Sequence, residues 1–143
     1  MSEIDLIIRL IIATIFGGIV GWERQADKKP AGLRTHMLVS LGSALFTIVS
    51  FADFEAFRGL NIDPTRIAAG IVTGIGFLGA GAILQSKGEI KGLTTAASVW
   101  IVAAIGMTCG FGGFVLAGTA SVITVIILYI MDIVERKFGS RIG

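Results

Sequence analysis

One cysteine, one histidine and few charges set the first limits on what this chain can do. Cys109 lies inside an apolar run, which excludes an internal disulfide framework and a thiol metal site. His36 has no zinc-type partner in the sequence, so no metal site is expected. Charged residues make up 15% of the 143 positions, against about 25% in an ordinary soluble domain. The first apolar segment has no basic leader and no A-x-A exit, so it reads as a retained membrane helix rather than a cleaved signal. No pair of acids falls within an apolar span, and no catalytic constellation is present. The expectation is a protein that is not an enzyme, uses no cofactor and binds no nucleic acid.

What the chain does have is apolar length. Hydrophobic residues make up 54% of it, and the mean hydropathy is +0.86. Five spans emerge, at about 4–21, 37–52, 64–84, 94–110 and 114–131, which predicts an all-α integral membrane protein with five transmembrane helices in one compact bundle. The net charge of +2 says less than where the charges stand. Arg24, Lys28, Lys29 and Arg34 occupy the first loop, Lys87 and Lys91 the third, and Arg136, Lys137 and Arg141 the tail. The second loop holds Arg58 and Arg66, and the fourth loop and the segment before the first span hold none. The positive-inside rule then predicts an N-terminus outside and a C-terminus in the cytoplasm.

The third span is the most unusual. From Ile67 to Leu84 it carries no charge but holds Gly70, Gly74, Gly76, Gly79 and Gly81. In lipid, glycines give a helix flat surfaces for close packing, while the lack of competing water keeps its backbone bonds closed. Gly74-Ile-Gly76-Phe-Leu-Gly79 also matches G-x-G-x-x-G, but the nearest downstream acid, Glu89, follows Gly79 by only ten residues and no preceding strand is predicted. Transmembrane packing is the better reading. At about 100° per residue, Ile67, Ile71, Ile75 and Leu78 form a bulky stripe expected to face lipid. Two small-residue stripes are expected to face neighbours, which places this helix in the middle of the bundle. Gly17 and Gly21 on the first span and Gly106 on the fourth are further packing candidates.

Arg9 is the basic residue within the first apolar run; four residues after Asp5, it is placed to pair with it near the outer end, while Arg66 marks the edge of the third span. Phe51, Phe54, Phe57 and Leu60 recur every three residues and predict a short surface helix before Asp63-Pro64 starts the third span. Asp132 is expected to pair with Arg136. Gly32-Leu33-Arg34-Thr35 and Gly92-Leu93-Thr94-Thr95 lie 60 residues apart, and at that offset Ile11 meets Ile71 and Ile15 meets Ile75. Spans one–two and three–four thus read as parallel repeats of a hairpin.

The candidate functional residues gather at the cytoplasmic rim: Glu23, Arg24, Arg34, Thr35, His36, Thr94 and Thr95. Thr35 is a candidate N-cap for the second span and Thr94-Thr95 opens the fourth; two helix N-termini beside Arg34 and His36 could attract an anion. The plainer reading makes the threonines caps, the arginines topology signals and Glu23 the partner of a basic neighbour.

Four blocks together resemble the MgtC/SapB family of bacterial membrane proteins: GWERQ (Gly21–Gln25), AGLRTHMLVSLGSALF (Ala31–Phe46), RIAAGIVTGIGFLGAGAIL (Arg66–Leu84) and GLTTAASVWIVAAIG (Gly92–Gly106). Gly70 departs from the resemblance, since many members carry a polar residue there, often glutamine. The resemblance implies a bacterial inner-membrane protein linked to low-magnesium adaptation and intracellular survival. It implies action on other membrane machinery, notably the F-type ATP synthase; the close-packing faces themselves predict helix contacts within a homo-oligomer or a larger membrane complex. Many members continue into a soluble C-terminal domain, so a chain stopping at Gly143 is expected to be a short form or a truncation. The alternative function is a transporter or channel for Mg²⁺ or another ion; a third is a rim sensor for a small anion. The absence of carboxylates at mid-depth in the predicted spans weighs against ion transport.

Overall fold

The computed structural model describes residues 2–56, 63, 65–86 and 89–138. Its elements are helices α1 (Glu3–Ala26), α2 (Leu33–Ala56), α3 (Thr65–Ala82), α4 (Leu93–Gly110) and α5 (Phe114–Phe138), with a small hairpin, β1 (Leu84–Ser86) and β2 (Glu89–Lys91), between α3 and α4. Four of the helices are long and apolar enough to cross a membrane. The apolar part of α3, Arg66–Ala82, is shorter. Of the five expected spans, four are thus candidate spans by length and composition among the described residues, and α3 is a shorter apolar helix. Leu84 leaves the helix and pairs with Lys91 across the antiparallel hairpin.

Local chemistry accounts for the element ends. Ser2 caps α1 by accepting from the Asp5 amide at 3.2 Å, and Glu3 and Asp5 put negative charge at the positive end of the helix dipole. α2 begins two residues before Thr35, and Gln25 Oε1 accepts from the Leu33 amide at 3.1 Å, so Thr35 is not the cap. α4 is opened by Gly92 rather than by the threonines. Gly92 has φ of +92°, and a Cβ there would stand 2.0 Å from the Ala82 carbonyl oxygen. Only glycine fits that corner. The predicted surface helix has no separate start, because α2 runs through Ala56; Phe57 and Leu60 lie outside the described residues, as do Arg58, Pro64, Lys87 and Arg141.

Close contacts fix the packing. Gly17 of α1 meets Ser40 and the His36 carbonyl, and Gly21 meets Leu33 and His36. Gly106 of α4 faces the Ser40 carbonyl, and Gly110 faces Ala44 and Thr47. A Cβ added at any of these four positions would come within 3.0 Å of a neighbour. These contacts also give direction: α1 runs antiparallel to α2, and α2 parallel to α4. α4 touches every other helix and is the centre of the bundle.

The expectation for α3 is overturned. It lies at the edge against α4 and α2, and a Cβ at Gly70, Gly74, Gly76 or Gly81 would meet nothing within 4 Å. The stripe turned inward is Ile71, Ile75 and Gly79, with Gly79 resting on Ala96. The branched side chains fill the space between helices, so most of the glycines are left on the outside. The repeat also needs correction at residue level, because Ile11 and Ile15 are exposed on α1 while Ile71 and Ile75 are buried on α3. What the two hairpins share is their neighbours: α1 and α3 each touch both α2 and α4.

Candidate functional site

Polar side chains come together where α1 ends and α2 and α4 begin. Burying such groups without partners costs several kcal/mol, so their bonding is informative. Arg24 is 4% exposed, yet its guanidinium is loosely held. Nη2 donates to Thr95 Oγ1 at 3.4 Å, and Nη1 stands 3.8 Å from Glu23 Oε2. Arg24 Nε and Glu23 Oε2 are buried without a hydrogen-bond partner. On the neighbouring rim, Lys29 pairs with Asp132 of α5 at 3.8 Å. Arg136, the predicted partner of Asp132, has its side chain outside the described residues.

His36 is fully buried and uses both ring nitrogens. Nδ1 lies 2.8 Å from the Gly32 carbonyl and Nε2 lies 3.0 Å from Ser98 Oγ. A carbonyl only accepts, so Nδ1 carries a proton, and a neutral ring then needs Ser98 to donate to Nε2. Ser98 Oγ also stands 2.8 Å from the Thr95 carbonyl. One hydroxyl proton thus serves two acceptors, and the charge state of His36 decides which acceptor receives it.

Of the sequence candidates, the structure joins Glu23, Arg24, His36 and Thr95 in this one cluster. Arg34, Thr35 and Thr94 are exposed, unlike buried Arg24, His36 and Thr95. Arg66 is exposed at the start of α3. Arg9 is held at the other end of α1. Its guanidinium bonds Asp5 at 3.0 and 3.1 Å and donates to the Gly110 carbonyl at 2.7 Å, packing over Gly112 in the turn between α4 and α5. Among the described residues no three of His, Cys, Asp and Glu cluster as a metal site would require.

The sequence reading missed Ser98 and the run of polar positions along α2. His36, Ser40, Ser43, Thr47 and Ser50 recur at helical spacing and are all buried. Ser40 donates to the Ala13 carbonyl at 2.6 Å and Thr47 to the Ser43 carbonyl at 2.8 Å. That spacing was visible; the signal lies in reversing the soluble rule, since lipid leaves hydroxyls no better place than the inside.

The MgtC family model matches residues 10–137. The chain belongs to the MgtC family. It is 53% identical over 127 residues to "Putative magnesium transporter YhiD" of Escherichia coli K12, a match covering 87% of this chain and 59% of that protein. It is 36% identical over 139 residues to "Protein SapB" of Bacillus subtilis 168, covering 94% of this chain and 60% of the relative. It is 45% identical over 116 residues to "Protein MgtC" of Brucella abortus 2308, covering 81% and 45%. The chain thus spans about three-fifths or less of the length of these curated relatives. No solved structure matches it. As an MgtC-family member with four candidate spans, the chain is a membrane protein.

Proposed function

We propose that this chain is a non-enzymatic protein of the bacterial inner membrane that serves magnesium adaptation through helix contacts with other membrane machinery, such as the F-type ATP synthase. The observation that carries this reading is how closely the interior is packed. At Ser40 three helices approach within a distance only glycine allows, and Ser40 and Thr47 donate to backbone carbonyls instead of lining a path. An ion conduit needs rings of carboxylates or free carbonyls. The surface, by contrast, offers long apolar faces on α1, α3 and α5. The lysine and arginine pattern supports insertion with the N-terminus outside and the C-terminus in the cytoplasm.

The second reading, transport of Mg²⁺, draws on the name of the E. coli relative. Reconstitution in liposomes loaded with a Mg²⁺-sensitive dye separates the two. Flux indistinguishable from empty liposomes is expected; saturable uptake by the pure protein would overturn the regulatory reading. The anion reading has less support, because Arg24 is enclosed whereas Arg34 is exposed.

A further inference from the structure

The helix contacts of the two hairpins can be exchanged for one another. α1 touches α2 and α4; α3 touches α4 and α2. Exchanging α1 with α3 and α2 with α4 maps this set of contacts onto itself. α5 breaks the exchange, since it packs on the α1/α4 edge. The corresponding α2/α3 edge holds an apolar groove of about 700 Å³. Val39, Gly42 and Phe46 line it from α2, and Gly70, Gly74 and Leu78 from α3. Cβ atoms at Gly42, Gly70 and Gly74 would meet nothing within 4 Å.

From this we propose that the α2/α3 groove receives α5 of a second copy of the chain, as the α1/α4 edge receives the chain's own α5. Polarity supports this occupant. Gly118 of α5 meets Phe16 and Gly112 meets Arg9, so α5 runs parallel to α1; Gly113 on Thr108 places α5 antiparallel to α4. Gly79 on Ala96, with Gly92 on Ala82, makes α3 antiparallel to α4 and hence parallel to α5. A second copy inserted the same way therefore presents α5 parallel to α3 and antiparallel to α2, matching the direction in the filled edge. Shape supports it as well. α5 buries Ala117, Ser121 and Leu128 against its own bundle and leaves Leu116, Ile123 and Ile127 exposed as knobs for a glycine-lined groove. Lipid association of helices depends on such packing rather than on a hydrophobic drive.

The α1/α4 and α2/α3 edges share no helix and lie on opposite sides of the α2–α4 pair, so the contact is head-to-tail and each copy can join two others. The proposal rests on bundle geometry and stands or falls independently of the flux assay.

Counting along α4 from the Gly79–Ala96 and Gly113–Thr108 contacts, Gly74 stands at about the level of Ala120. Ile123, 51% exposed, is within a turn of that level. In a Cys109→Ala chain in native membranes, differently tagged Gly74→Cys and Ile123→Cys copies should crosslink to each other at least about tenfold more than Gly74→Cys with Ile8→Cys, a threshold set well clear of chance collision. A single chain carrying both cysteines should give a ladder beyond dimers. Gly70→Leu fills the groove without touching the fold, and should remove the crosslink while leaving thermal stability unchanged. Crosslinking of Gly74→Cys only to itself would overturn the proposal in favour of an α3–α3 pair. No crosslink above the Ile8→Cys control would overturn it in favour of lipid covering the groove.

Discussion

Ser40 shows how much one small residue can decide. Its Oγ ties α2 to α1 through the Ala13 carbonyl, and its own carbonyl lies against Gly106 of α4. Gly106→Ala would put a Cβ 2.2 Å from that oxygen and 2.8 Å from the carbonyl carbon. Backbone cannot swing away as a flexible side chain can, so the change should cost about 3 kcal/mol or more. Gly81→Ala, into open space, should stay within about 0.5 kcal/mol. Unfolding in detergent micelles measures both, and equal losses would contradict the packing. Arg24 and Glu23 form a second such test. Removing the guanidinium with Arg24→Met leaves Glu23 Oε2 buried without its nearest cation and should cost about 3 kcal/mol. Adding Glu23→Gln should recover most of that loss, and simple additivity in the double-mutant cycle would show that the two do not interact.

Among the elements, α1 is anchored at both ends by arginines, Arg9 and Arg24, whereas the end of α3 is seated by backbone, at the Ala82–Gly92 corner. Arg9 joins the start of α1 to the last carbonyl of α4, where the negative end of the helix dipole favours a cation. Arg9→Gln should weaken this joint by about 2 kcal/mol, the worth of a charge-assisted bond, and hasten amide exchange in Gly112 and Gly113 before other regions respond. Unchanged exchange there would mean that the turn holds itself through its own bonds to Cys109 and Thr108. Elements were largely legible in the sequence, because uncharged length and Gly-containing breaks mark helices in lipid independently of tertiary context. The Asp5–Arg9 spacing gave a contact that is present. Faces were not legible in the same way. A helix as apolar as α3 has no polar side to mark its exposure, so the small-residue rule was applied to it and turned Gly74 inward and Ile71 outward, the reverse of what the structure shows. In the site, Arg24, His36 and Thr95 stood out by chemistry, but their junction with Ser98 depends on the α2–α4 crossing, which residue type alone does not encode.

At the level of the whole molecule, α4 is the axis that touches every other helix, and α5 and α3 pack on different edges of the bundle. The buried hydroxyls of α2 have a consequence for how the protein is made. α2 is the least apolar of the four spans, and at Ser40 its hydroxyl finds its acceptor on α1. A ribosome-bound chain offering α2 alone to the membrane would leave that hydroxyl only the carbonyl one turn earlier, the bond Thr47 makes to Ser43, and would turn the whole polar stripe toward lipid. Biogenesis should proceed by pairs, with α1 waiting at the translocon until α2 arrives. In a glycosylation-mapping assay, α2 fused alone should insert poorly and α1–α2 together should insert well. Efficient insertion of α2 by itself would show that its polar stripe needs no escort.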